Sequence, residues 1–435
     1  MKFGIFIDLQ LPRPWEEGDE AKLFHEALEQ VELADRLGID YVWVQEHHFL
    51  EEYSHSAAPE VFLAAASQRT QNIRLGHGIV VMSPKYNHPA RTAERLATLD
   101  ILSGGRVEWG TGESGSRMEL EGFGVDFVDK RPMWEEALQE TAKMMSMNPY
   151  PGFQGKYFSM PHRNVVPKPV QKPHPPIWAA CSNRDSLKLA AQLGLGGLTF
   201  AFVNAEEAKF WVDEYYETFK NECKPIGQAV NPNVAMLTGF MCHKDNETAI
   251  QLGEEGAQFF AFGLGHYWRD GTHIPGQTNL WEEFQKRPVS ANQKMERERK
   301  KAGMRGIGSP KELIKNFREL ENAGVDQLIL LHQCGAYRHE DICASLELFA
   351  AEVLPEFQER EAIRAKARQE ELAPFIEEIN QKIQKPEGLD VIPPVEAYPL
   401  MWKKMSSDTP QGTPDRRPGM TAFWQAQVGG KRPKK

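Results

Sequence analysis

The sequence predicts an α/β protein of the (β/α)8 barrel class, a TIM barrel with insertions and a C-terminal extension. Short apolar stretches of strand length alternate with amphipathic stretches of helix length eight times along the chain. Ionisable or small polar residues directly follow several of these strands, at the end where such barrels carry their chemistry. An open, doubly wound sheet is the alternative, but no GxGxxG follows the first strand, which favours the barrel.

The first half of the chain supplies four strand-then-helix units. In the first unit, apolar residues recur at helical spacing from Phe24 to Ala34, and Gly38 stands where a glycine commonly ends a helix. In the second unit, the apolar run from Tyr41 to Val44 is typical of a strand buried on both faces. The predicted strands are residues 3–8, 41–45, 73–82 and 106–110, and the helices after them are 20–37, 59–69, 88–102 and 131–147.

Residues 148–176 interrupt the alternation. They contain eight prolines and no apolar period, so we predict a long surface excursion there. The alternation then returns for four more units. The predicted strands are residues 177–180, 197–203, 234–242 and 327–332, and the helices after them are 186–193, 205–222, 247–262 and 340–354.

Two regions fall outside this repeat. Residues 263–309 are polar and contain a charged run at 294–301, and insertions of that length in compact domains are usually lids or disordered segments. We predict that this insertion belongs to a barrel domain of residues 1–355. Residues 356–435 begin with a charged, helix-like stretch and become rich in proline and lysine, which predicts a C-terminal arm that wraps its own barrel or a neighbouring subunit.

Composition and charge argue against several classes of partner. Of the 435 residues, 41% are hydrophobic and 26% are charged, as in an ordinary globular protein with a large core. The formal net charge of -10 argues against a nucleic-acid partner, and no apolar run approaches the roughly 18 residues that span a membrane. The five cysteines are scattered without a CxxC pair, which favours a reduced, cytoplasmic protein.

The candidate site residues follow the predicted strands. Glu46, His47 and His48 form an ionisable cluster directly after strand two. Turns rich in glycine and serine, such as those after strands four and five, expose backbone N–H groups that can hold a phosphate. The other candidates are His77, Gly78 and Ile79 at strand three, Gly112 and Ser114 after strand four, and Cys181, Ser182 and Asn183 after strand five.

Each candidate also has a purely structural interpretation. Either histidine could be an ordinary hydrogen-bonded residue at a strand end, and Ser182-Asn183 could be a helix N-cap. A Gly-Ser turn is more often only a turn. A zinc site on His47 and His48 is disfavoured, because adjacent residues leaving a strand point to opposite faces and no HxH or HExxH accompanies them. We therefore predict no metal site.

An ordered set of short motifs over residues 1 to about 355 resembles the bacterial luciferase-like, flavin-dependent monooxygenases. No single motif is specific, but the set in this order is. The motifs are MKFG (1–4), DYVW (40–43), EHHF (46–49), GIVV (78–81), HP (88–89), LD (99–100), SGGRV (103–107), PKPVQKPHPPIW (167–178) and GSP (308–310). The C-terminal arm is not part of this resemblance.

The resemblance implies a barrel that binds reduced FMN noncovalently and reacts it with O₂ to oxygenate an apolar organic substrate. A separate NAD(P)H:flavin reductase would supply the reduced flavin. His47 matches the family's catalytic histidine, a general acid/base near the C4a-peroxyflavin. Gly78-Ile79 falls where the family often has a cis non-prolyl bond against the flavin ring, at a cost of roughly 3 kcal/mol. Ser182 and its neighbours match the phosphate-binding turn, and residues 263–309 match a mobile lid that excludes water.

The turn after strand four departs from the family pattern. Bacterial luciferase has an arginine there that contacts the phosphate, whereas this chain has Glu113. A carboxylate would repel the phosphate. The alternatives are that Arg117 supplies the positive charge from further along the chain or that Glu113 turns away.

Two other functions share this barrel. The first is an F420-dependent dehydrogenase, which transfers hydride without O₂; the EHHF and MKFG motifs resemble the luciferase side more closely. The second is a non-catalytic flavin-binding relative, against which His47 argues. We also predict a homodimer, because apolar residues 61–66 cover more than one helix face and because Trp402 and Trp424 in the arm need a surface that buries them.

Overall fold

Eight parallel strands close into a barrel, which confirms the predicted TIM barrel. The computed structural model describes residues 1–287, 304–384, 386–395 and 397. Its strands are β1 (Lys2–Ile7), β2 (Tyr41–Val44), β3 (Arg74–His77), β4 (Val80–Val81), β5 (Val107–Gly112), β6 (Tyr150–Gln154), β7 (Ser159–Arg163), β8 (Ile177–Cys181), β9 (Gly196–Thr199), β10 (Val234–Cys242), β11 (Gly306–Gly308) and β12 (Gln327–Leu331). The barrel order is β1, β2, β3, β5, β8, β9, β10 and β12, and the pairing of β12 with β1 closes it.

Helices surround the barrel on its outer side. α3 and α10 each begin with a proline, which suits the first helical position because its missing N–H would have no partner there. Across the described ranges, no helix is long and apolar enough to cross a membrane. The helices are α1 (Asp19–Arg36), α2 (Pro59–Ser67), α3 (Pro89–Leu102), α4 (Arg117–Gly122), α5 (Lys130–Ser146), α6 (Arg184–Gln192), α7 (Ala205–Glu222), α8 (Asn246–Gly265), α9 (Leu280–Lys286), α10 (Pro310–Asn322), α11 (His339–Glu352) and α12 (Leu354–Lys382).

Side chains of the barrel strands alternate between the helix layer and the barrel interior. In β2, Val42 and Val44 join the core between strands and helices, whereas Tyr41 and Trp43 join a separate core inside the barrel. Trp43 fills the interior so closely that a Cβ on Gly76 would lie 2.3 Å from its ring. This alternation decides which residues at the strand ends can reach the mouth of the barrel.

Residues 148–176, the predicted surface excursion, contain regular structure that the sequence analysis did not predict. They contain the antiparallel hairpin of β6 and β7. Tyr150 is fully buried at its start and donates a hydrogen bond from its hydroxyl to Glu140 on α5, which fixes the hairpin on the helix layer. A search for apolar periodicity does not detect a hydrogen bond such as that from Tyr150 to Glu140.

Two further boundaries differ from the prediction. The third predicted strand, residues 73–82, is divided into β3 and β4, with Gly78 and Ile79 between them. Helix α8 continues through Gly265 into a π-helical turn, His266–Asp270, so the first residues of the predicted insertion are helical. Residues 288–303, which include the predicted charged run, lie outside the described residues.

The C-terminal extension begins as α12, which packs against the barrel's own helix layer. Phe357, Leu372 and Ile379 of α12 are buried in the same core as the barrel strands. The ring of Phe357 meets that of Phe3 on β1 at a centroid distance of 5.4 Å. Residues Met1–Gly388 form one compact unit. In the second unit, Leu389–Lys435, both predicted tryptophan anchors, Trp402 and Trp424, lie outside the described residues.

A row of arginines on α12 adds polar contacts to this apolar face. Arg360 donates to the carboxylate of Glu321 on α10, with a closest distance of 2.7 Å. One turn later, Arg364 donates to the backbone carbonyls of Glu321 and Val325. A further turn along, Arg368 donates to the carbonyl of Gly324. The accepting carbonyls lie at the end of α10 and in the turn just after it. Helix α12 is therefore attached to the barrel by polar contacts as well as apolar ones.

We expect Phe357→Ala to lower the free energy of unfolding by about 3–5 kcal/mol, the usual cost of removing a fully buried phenylalanine ring. Urea unfolding followed by circular dichroism measures the change. The matched control on the same helix is Ile363→Ala, because the Ile363 side chain is 73% exposed and its removal should shift stability by less than about 0.5 kcal/mol. Equal effects of the two substitutions would show that α12 does not belong to the barrel core.

Candidate active site

His47 lies at the mouth of the barrel, just beyond β2, where a buried glutamate holds it. The Nδ1 atom of His47 is 3.0 Å from Oε1 of Glu119 on α4. The same carboxylate accepts hydrogen bonds from the backbone N–H of His48 at 2.9 Å and from the hydroxyl of Ser114 at 2.7 Å. The carboxylate of Glu119 is therefore held by donors from two separate chain segments, and in this position it orients the imidazole of His47.

The turn that brings Glu119 to His47 has an uncommon backbone. Ser114 has φ of 58°, a left-handed conformation that few residues other than glycine adopt. At Gly115, a Cβ would lie 2.7 Å from the indole of Trp268, so a larger residue would displace that ring. Close packing thus ties the turn after β5 to the π-helical turn that follows α8.

The electrostatics of the pair favour an imidazolium facing a carboxylate. Burial by itself would lower the pKa of His47, but the charge and hydrogen bond of Glu119 outweigh it and raise the pKa above its usual value. Burial would likewise raise the pKa of Glu119, but His47, Ser114 and the backbone of His48 lower it. Each partner therefore stabilises the charged form of the other.

His48 points away from His47 and serves a different cluster. Its Nε2 atom is 3.1 Å from Oε1 of Glu46, and its ring packs on that of Phe123. The carboxylate of Glu46 also accepts from the backbone N–H of Val81 and from the side-chain amide of Asn87, each at 2.8 Å. Glu46 therefore joins β4 to the loop after β2, and the two histidines face opposite sides as predicted.

Aromatic rings enclose His47 on its remaining sides. Its ring centroid lies 5.7 Å from that of Tyr53 and 5.3 Å from that of Trp268. Tyr53 packs in turn on Phe260 of α8 and on Tyr267. The close approach of α8 requires a glycine at Gly263, where a Cβ would lie 2.4 Å from the Tyr53 ring. The imidazole thus sits beneath an apolar cover supplied by the start of the predicted lid.

Two glutamates of a 3₁₀ turn, Glu51–Tyr53, attach this cover to the barrel. Glu52 is buried and accepts from the backbone N–H groups of Leu280 and Trp281 at the start of α9. Glu51 accepts from the backbone N–H of Gly276 at 2.8 Å and lies 3.1 Å from Nε2 of His273. Both carboxylates therefore hold the segment after α8 by its backbone.

Asp8 is a buried acid at the end of β1 that the sequence did not single out. It lies on the interior face, like Phe6, and burial raises the pKa of Asp8 to about 7 although His47 opposes the shift. Its Oδ1 atom has no hydrogen-bond partner among the described residues, and the same holds for the hydroxyl of Tyr53. The two residues lie on adjoining segments, because the hydroxyl of Ser54 donates to the backbone carbonyl of Asp8 at 2.7 Å. Burial raises the pKa of Tyr53, and the charge of Asp8 adds to this effect.

His77 does not reach the site. It follows Leu75 by two positions, and Leu75 belongs to the core between strands and helices. The groups that act on it, Glu60 of α2 and Arg95 of α3, lie in that helix layer, and burial lowers the pKa of His77 to about 4. The parity of the strand therefore turns this imidazole away from the barrel interior.

The predicted cis bond at Gly78-Ile79 is wrong. In the described part of the chain, every cis peptide bond precedes a proline. A trans bond avoids the cost of a cis bond at a non-proline residue. Ile79 does reach the barrel mouth, where it is partly buried against the interior core, and it fills the space beside Gly112, since a Cβ there would lie 2.6 Å from Ile79 Cδ1.

In and after the turn that follows β5, Glu113 and Arg117 each form an ion pair with a different partner. Arg131 donates to both carboxylate oxygens of Glu113, and Lys130 lies 3.4 Å from it. The Arg117 side chain is 86% exposed and pairs with Glu121 on its own helix. Glu113 is therefore neutralised by α5, and Arg117 points to solvent. Ser114 is engaged by Glu119, as described above.

The turn after β8 separates into a buried and an exposed part. Cys181 is fully buried in the helix-layer core, and burial raises the pKa of its thiol to about 12. Ser182 and Asn183 are exposed. The side chain of Asn183 accepts from the backbone N–H of Ser186 and caps α6, which confirms the structural interpretation of this residue. Ser182 precedes this cap, and its hydroxyl accepts from the side-chain amide of Asn183 at 3.4 Å.

Four important residues escaped the sequence analysis: Asp8, Tyr53, Glu119 and Trp268. Asp8 carried a signal, because it stands at the carboxyl end of a predicted strand. Glu119 carried none, since α4 has only six residues and no detectable apolar period. Within the described ranges, no three His, Cys, Asp or Glu residues are grouped in a way that could hold a metal ion.

Comparison with known proteins places this barrel among the luciferase-like monooxygenases. A family model described as luciferase-like monooxygenase matches residues 1–327. The chain is 26% identical over 376 residues to the oxygenase component of a flavin-dependent trigonelline monooxygenase from Acinetobacter baylyi, covering 84% of this chain and 98% of that protein. It is 28% identical over 361 residues to limonene 1,2-monooxygenase from Rhodococcus erythropolis, covering 82% of this chain and 86% of that protein.

Solved structures agree with this grouping. The monooxygenase RslO1 from Streptomyces bottropensis superposes with a TM-score of 0.67 at 25% identity, covering 82% of this chain and all of that one. An F420-dependent secondary alcohol dehydrogenase superposes with a TM-score of 0.62 at 20% identity, covering 81% of this chain and 98% of that one. The second likeness concerns the fold alone.

We expect Glu119→Gln to lower the pKa of His47 below about 6.5, the usual histidine value, because burial then acts without the opposing carboxylate. Histidine labelled with carbon-13 and titrated by NMR measures this pKa. The control is Glu121→Gln on the same short helix, whose carboxylate pairs with exposed Arg117 and should leave His47 unchanged.

The pH dependence of stability follows from the same shifts. The raised pKa of His47 contributes stability that is present below about 6.5 and lost as pH rises through its folded value. The lowered pKa of Glu119 contributes stability that is present above about pH 4.3 and lost as pH falls through its folded value.

An unchanged titration of His47 in the Glu119→Gln variant would show that Glu119 does not set the pKa of His47.

Proposed function

Because the chain belongs to the luciferase-like monooxygenase family, we propose that it is the oxygenase of a two-component system that uses reduced FMN and O₂ to oxygenate an apolar organic substrate. The observation that carries this proposal is His47, which Glu119 holds beneath the rings of Tyr53 and Trp268. A positioned imidazole in a site that excludes water suits proton transfer during oxygenation.

The residues at the barrel mouth fit a flavin. Ile79, Met118, Phe200 and Phe202 are partly buried and pack against the interior core, which gives an apolar surface for a flat ring system. On the phosphate side, Ser182 is exposed at the start of α6, a helix terminus that favours an anion. Reduced FMN bound there would supply the electrons that activate O₂.

The role of His47 follows from which of its nitrogens is engaged. Glu119 accepts a hydrogen bond from the Nδ1–H group of His47, so Nε2 remains for proton exchange with a bound molecule. The raised pKa of His47 favours the protonated imidazole. We therefore assign His47 as the general acid/base and Glu119 as the residue that positions it.

The segment from Gly263 onward acts as the lid. Trp268 covers His47, while Glu51 and Glu52 hold the following residues through backbone hydrogen bonds. We propose that the cover opens by breaking these hydrogen bonds and the ring contacts of Trp268, while the barrel itself stays folded. The lid proposal extends over residues 263–309, of which 288–303 lie outside the described residues.

A separate reductase would deliver the reduced flavin. The Acinetobacter relative is named as the oxygenase component of its monooxygenase, which supports the same division here. The alternative cofactor is F420, since an F420-dependent dehydrogenase shares the fold. Two similar monooxygenases match more than four-fifths of the chain, and one of them is named as flavin-dependent, which supports a flavin over F420.

The cofactor is tested by supplying reduced FMN or reduced F420 to the purified protein with a panel of substrates. We expect O₂ uptake and oxygenated products with reduced FMN, and His47→Ala should lower turnover by roughly 10²–10⁴-fold, the usual loss for a general acid/base. Mass spectrometry of the products separates oxygenation from dehydrogenation.

The matched control is His48→Gln, because the glutamine amide can still donate to Glu46. We expect it to keep turnover within about tenfold of the parent protein. Turnover with F420 alone would replace the FMN proposal by the dehydrogenase. Near-parental turnover of His47→Ala would remove His47 from the mechanism.

We further propose a homodimer that uses the outer face of α2. Phe62, Leu63 and Ala66 are buried against the barrel, so packing on the barrel explains most of this apolar run. Val61 remains 66% exposed, and Ala65, one turn later, is also exposed. Ile101 and Leu102 at the end of α3 are exposed as well.

We expect the protein to sediment as a dimer at micromolar concentration and Val61→Glu to shift it to monomer, because a buried unpaired charge is costly in an interface. The control is Val128→Glu, since Val128 is 81% exposed in the loop before α5 and should leave the dimer intact. A monomeric parent protein, or a dimer unaffected by Val61→Glu, would contradict this interface.

A further inference from the structure

Two buried polar groups beside His47 lack partners, and they point to how the substrate is held. Asp8 is fully buried, and among the residues that the structure covers nothing bonds to its Oδ1 atom. Its Oδ2 atom has one long contact, 3.5 Å, from the amide of Gln10. The hydroxyl of Ser54 donates to the backbone carbonyl of Asp8 at 2.7 Å. Burial raises the pKa of Asp8, and the nearby Ser54 hydroxyl opposes this only in part.

Tyr53 presents the second group. Its ring is fully buried between His47, Phe260 and Trp268, yet its hydroxyl has no described partner. A buried phenol usually finds a hydrogen bond, because leaving it unpaired costs free energy. The residue after Tyr53 contacts Asp8 directly, because the hydroxyl of Ser54 donates to the backbone carbonyl of Asp8 at 2.7 Å.

The contrast with other buried carboxylates shows that this arrangement is unusual. Asp100 is as deeply buried as Asp8, but its carboxylate accepts from the backbone and side-chain amides of Gln171 at 2.9 and 2.8 Å. Glu119 has three donors, as described above. The Oδ1 atom of Asp8 has no donor among the described residues. It lies at the barrel mouth, the end of this fold that carries catalytic and binding residues.

We propose that Asp8 and Tyr53 form the polar-recognition pair of the substrate site, and that the substrate is an apolar molecule carrying one hydrogen-bond donor, a hydroxyl or an amine, that binds Asp8. The proposal deepens the function proposed above and rests on it for the location of the reacting centre. It adds the class of substrate: a plain hydrocarbon would leave both polar groups unpaired.

The chemistry of the pair sets the direction of the bond. Above its pKa of about 7, Asp8 is ionised and its oxygens only accept, so the partner of this form must bring an O–H or N–H group. The phenol can then donate to an alcohol oxygen or accept from an ammonium. The surrounding rings of Phe260, Tyr267 and Trp268 suit the apolar body of the molecule, and their faces also tolerate a cation.

The test uses three probes of similar shape: benzyl alcohol, benzylamine and toluene. Isothermal titration calorimetry or ligand-observed NMR measures their binding to the full chain, and neither flavin nor oxygen is needed. We expect at least one of the two polar probes to bind about tenfold more tightly than toluene. Asp8→Leu should remove that preference, and Tyr53→Phe should weaken it.

Asp8→Asn distinguishes the two donors. Its amide keeps an acceptor oxygen but carries no charge, so it should retain a preference for benzyl alcohol and lose a preference for benzylamine. Equal binding of all three probes by the parent protein, no measurable binding of any probe, or a preference that survives Asp8→Leu would overturn the proposal. Because these measurements need no turnover, their failure is separate from a failure of the FMN-dependent activity.

Thermal unfolding gives a second readout. Asp8→Leu should leave the melting temperature unchanged or raise it, because it removes an unpaired buried carboxyl. The control Asp100→Leu should lower it, because it breaks two hydrogen bonds to Gln171. A fall in melting temperature for Asp8→Leu as large as that for Asp100→Leu would show that Asp8 is a structural residue.

Discussion

A buried carboxylate must find hydrogen-bond donors, and this constraint organises the mouth of the barrel. Three glutamates there obtain their donors from loops that are distant in the sequence. Glu46 takes them from the start of β4 and from Asn87, Glu52 from the start of α9, and Glu119 from Ser114 and the backbone after β2. Each glutamate therefore joins two or more loops, and these attachments need no disulfide or metal in the described chain. The position of the imidazole at the centre follows from these attachments.

The same constraint explains why one acid stands apart. Asp8 lies within reach of the charges of His47 and Glu119, yet its outer oxygen receives no donor from the described residues. A protein selected only for stability would replace such a group with an apolar one, since an unpaired buried polar group is among the more costly local features. Tightly packed aromatic rings around Tyr53 offset part of that cost. The site thus combines well-satisfied acids that hold the structure with one unsatisfied acid that is free for a ligand.

The sequence predicts the barrel and His47 because both depend on local patterns. Apolar strand stretches and their polar ends lie within about ten residues of each other, which is the range that periodicity covers. Glu119 lies 72 residues from His47 on a helix of six residues, so its role depends on tertiary contacts that no local pattern contains.

Cys181 and His77 were placed at the site for a simpler reason, which is that strand parity was not applied to them. Both continue the outward-facing positions of their strands, as Ala179 and Leu75 show, and strict parity would have excluded them.

Parity also explains why the acid of β1 is inside. Phe6 belongs to the interior core, and Asp8, two residues later, has the same facing one layer nearer the mouth. Ile7 and Leu9, between and after them, belong to the outer core. An acid on the outer positions would meet the helix layer, where Arg and backbone donors are available, as Glu321 shows at the opposite end of the fold. On the inner position it meets rings and a histidine already paired with Glu119. A shift of β1 by one residue would turn the Asp8 carboxyl toward the helix layer, where it could support the fold. In the observed register it faces the barrel interior, near His47.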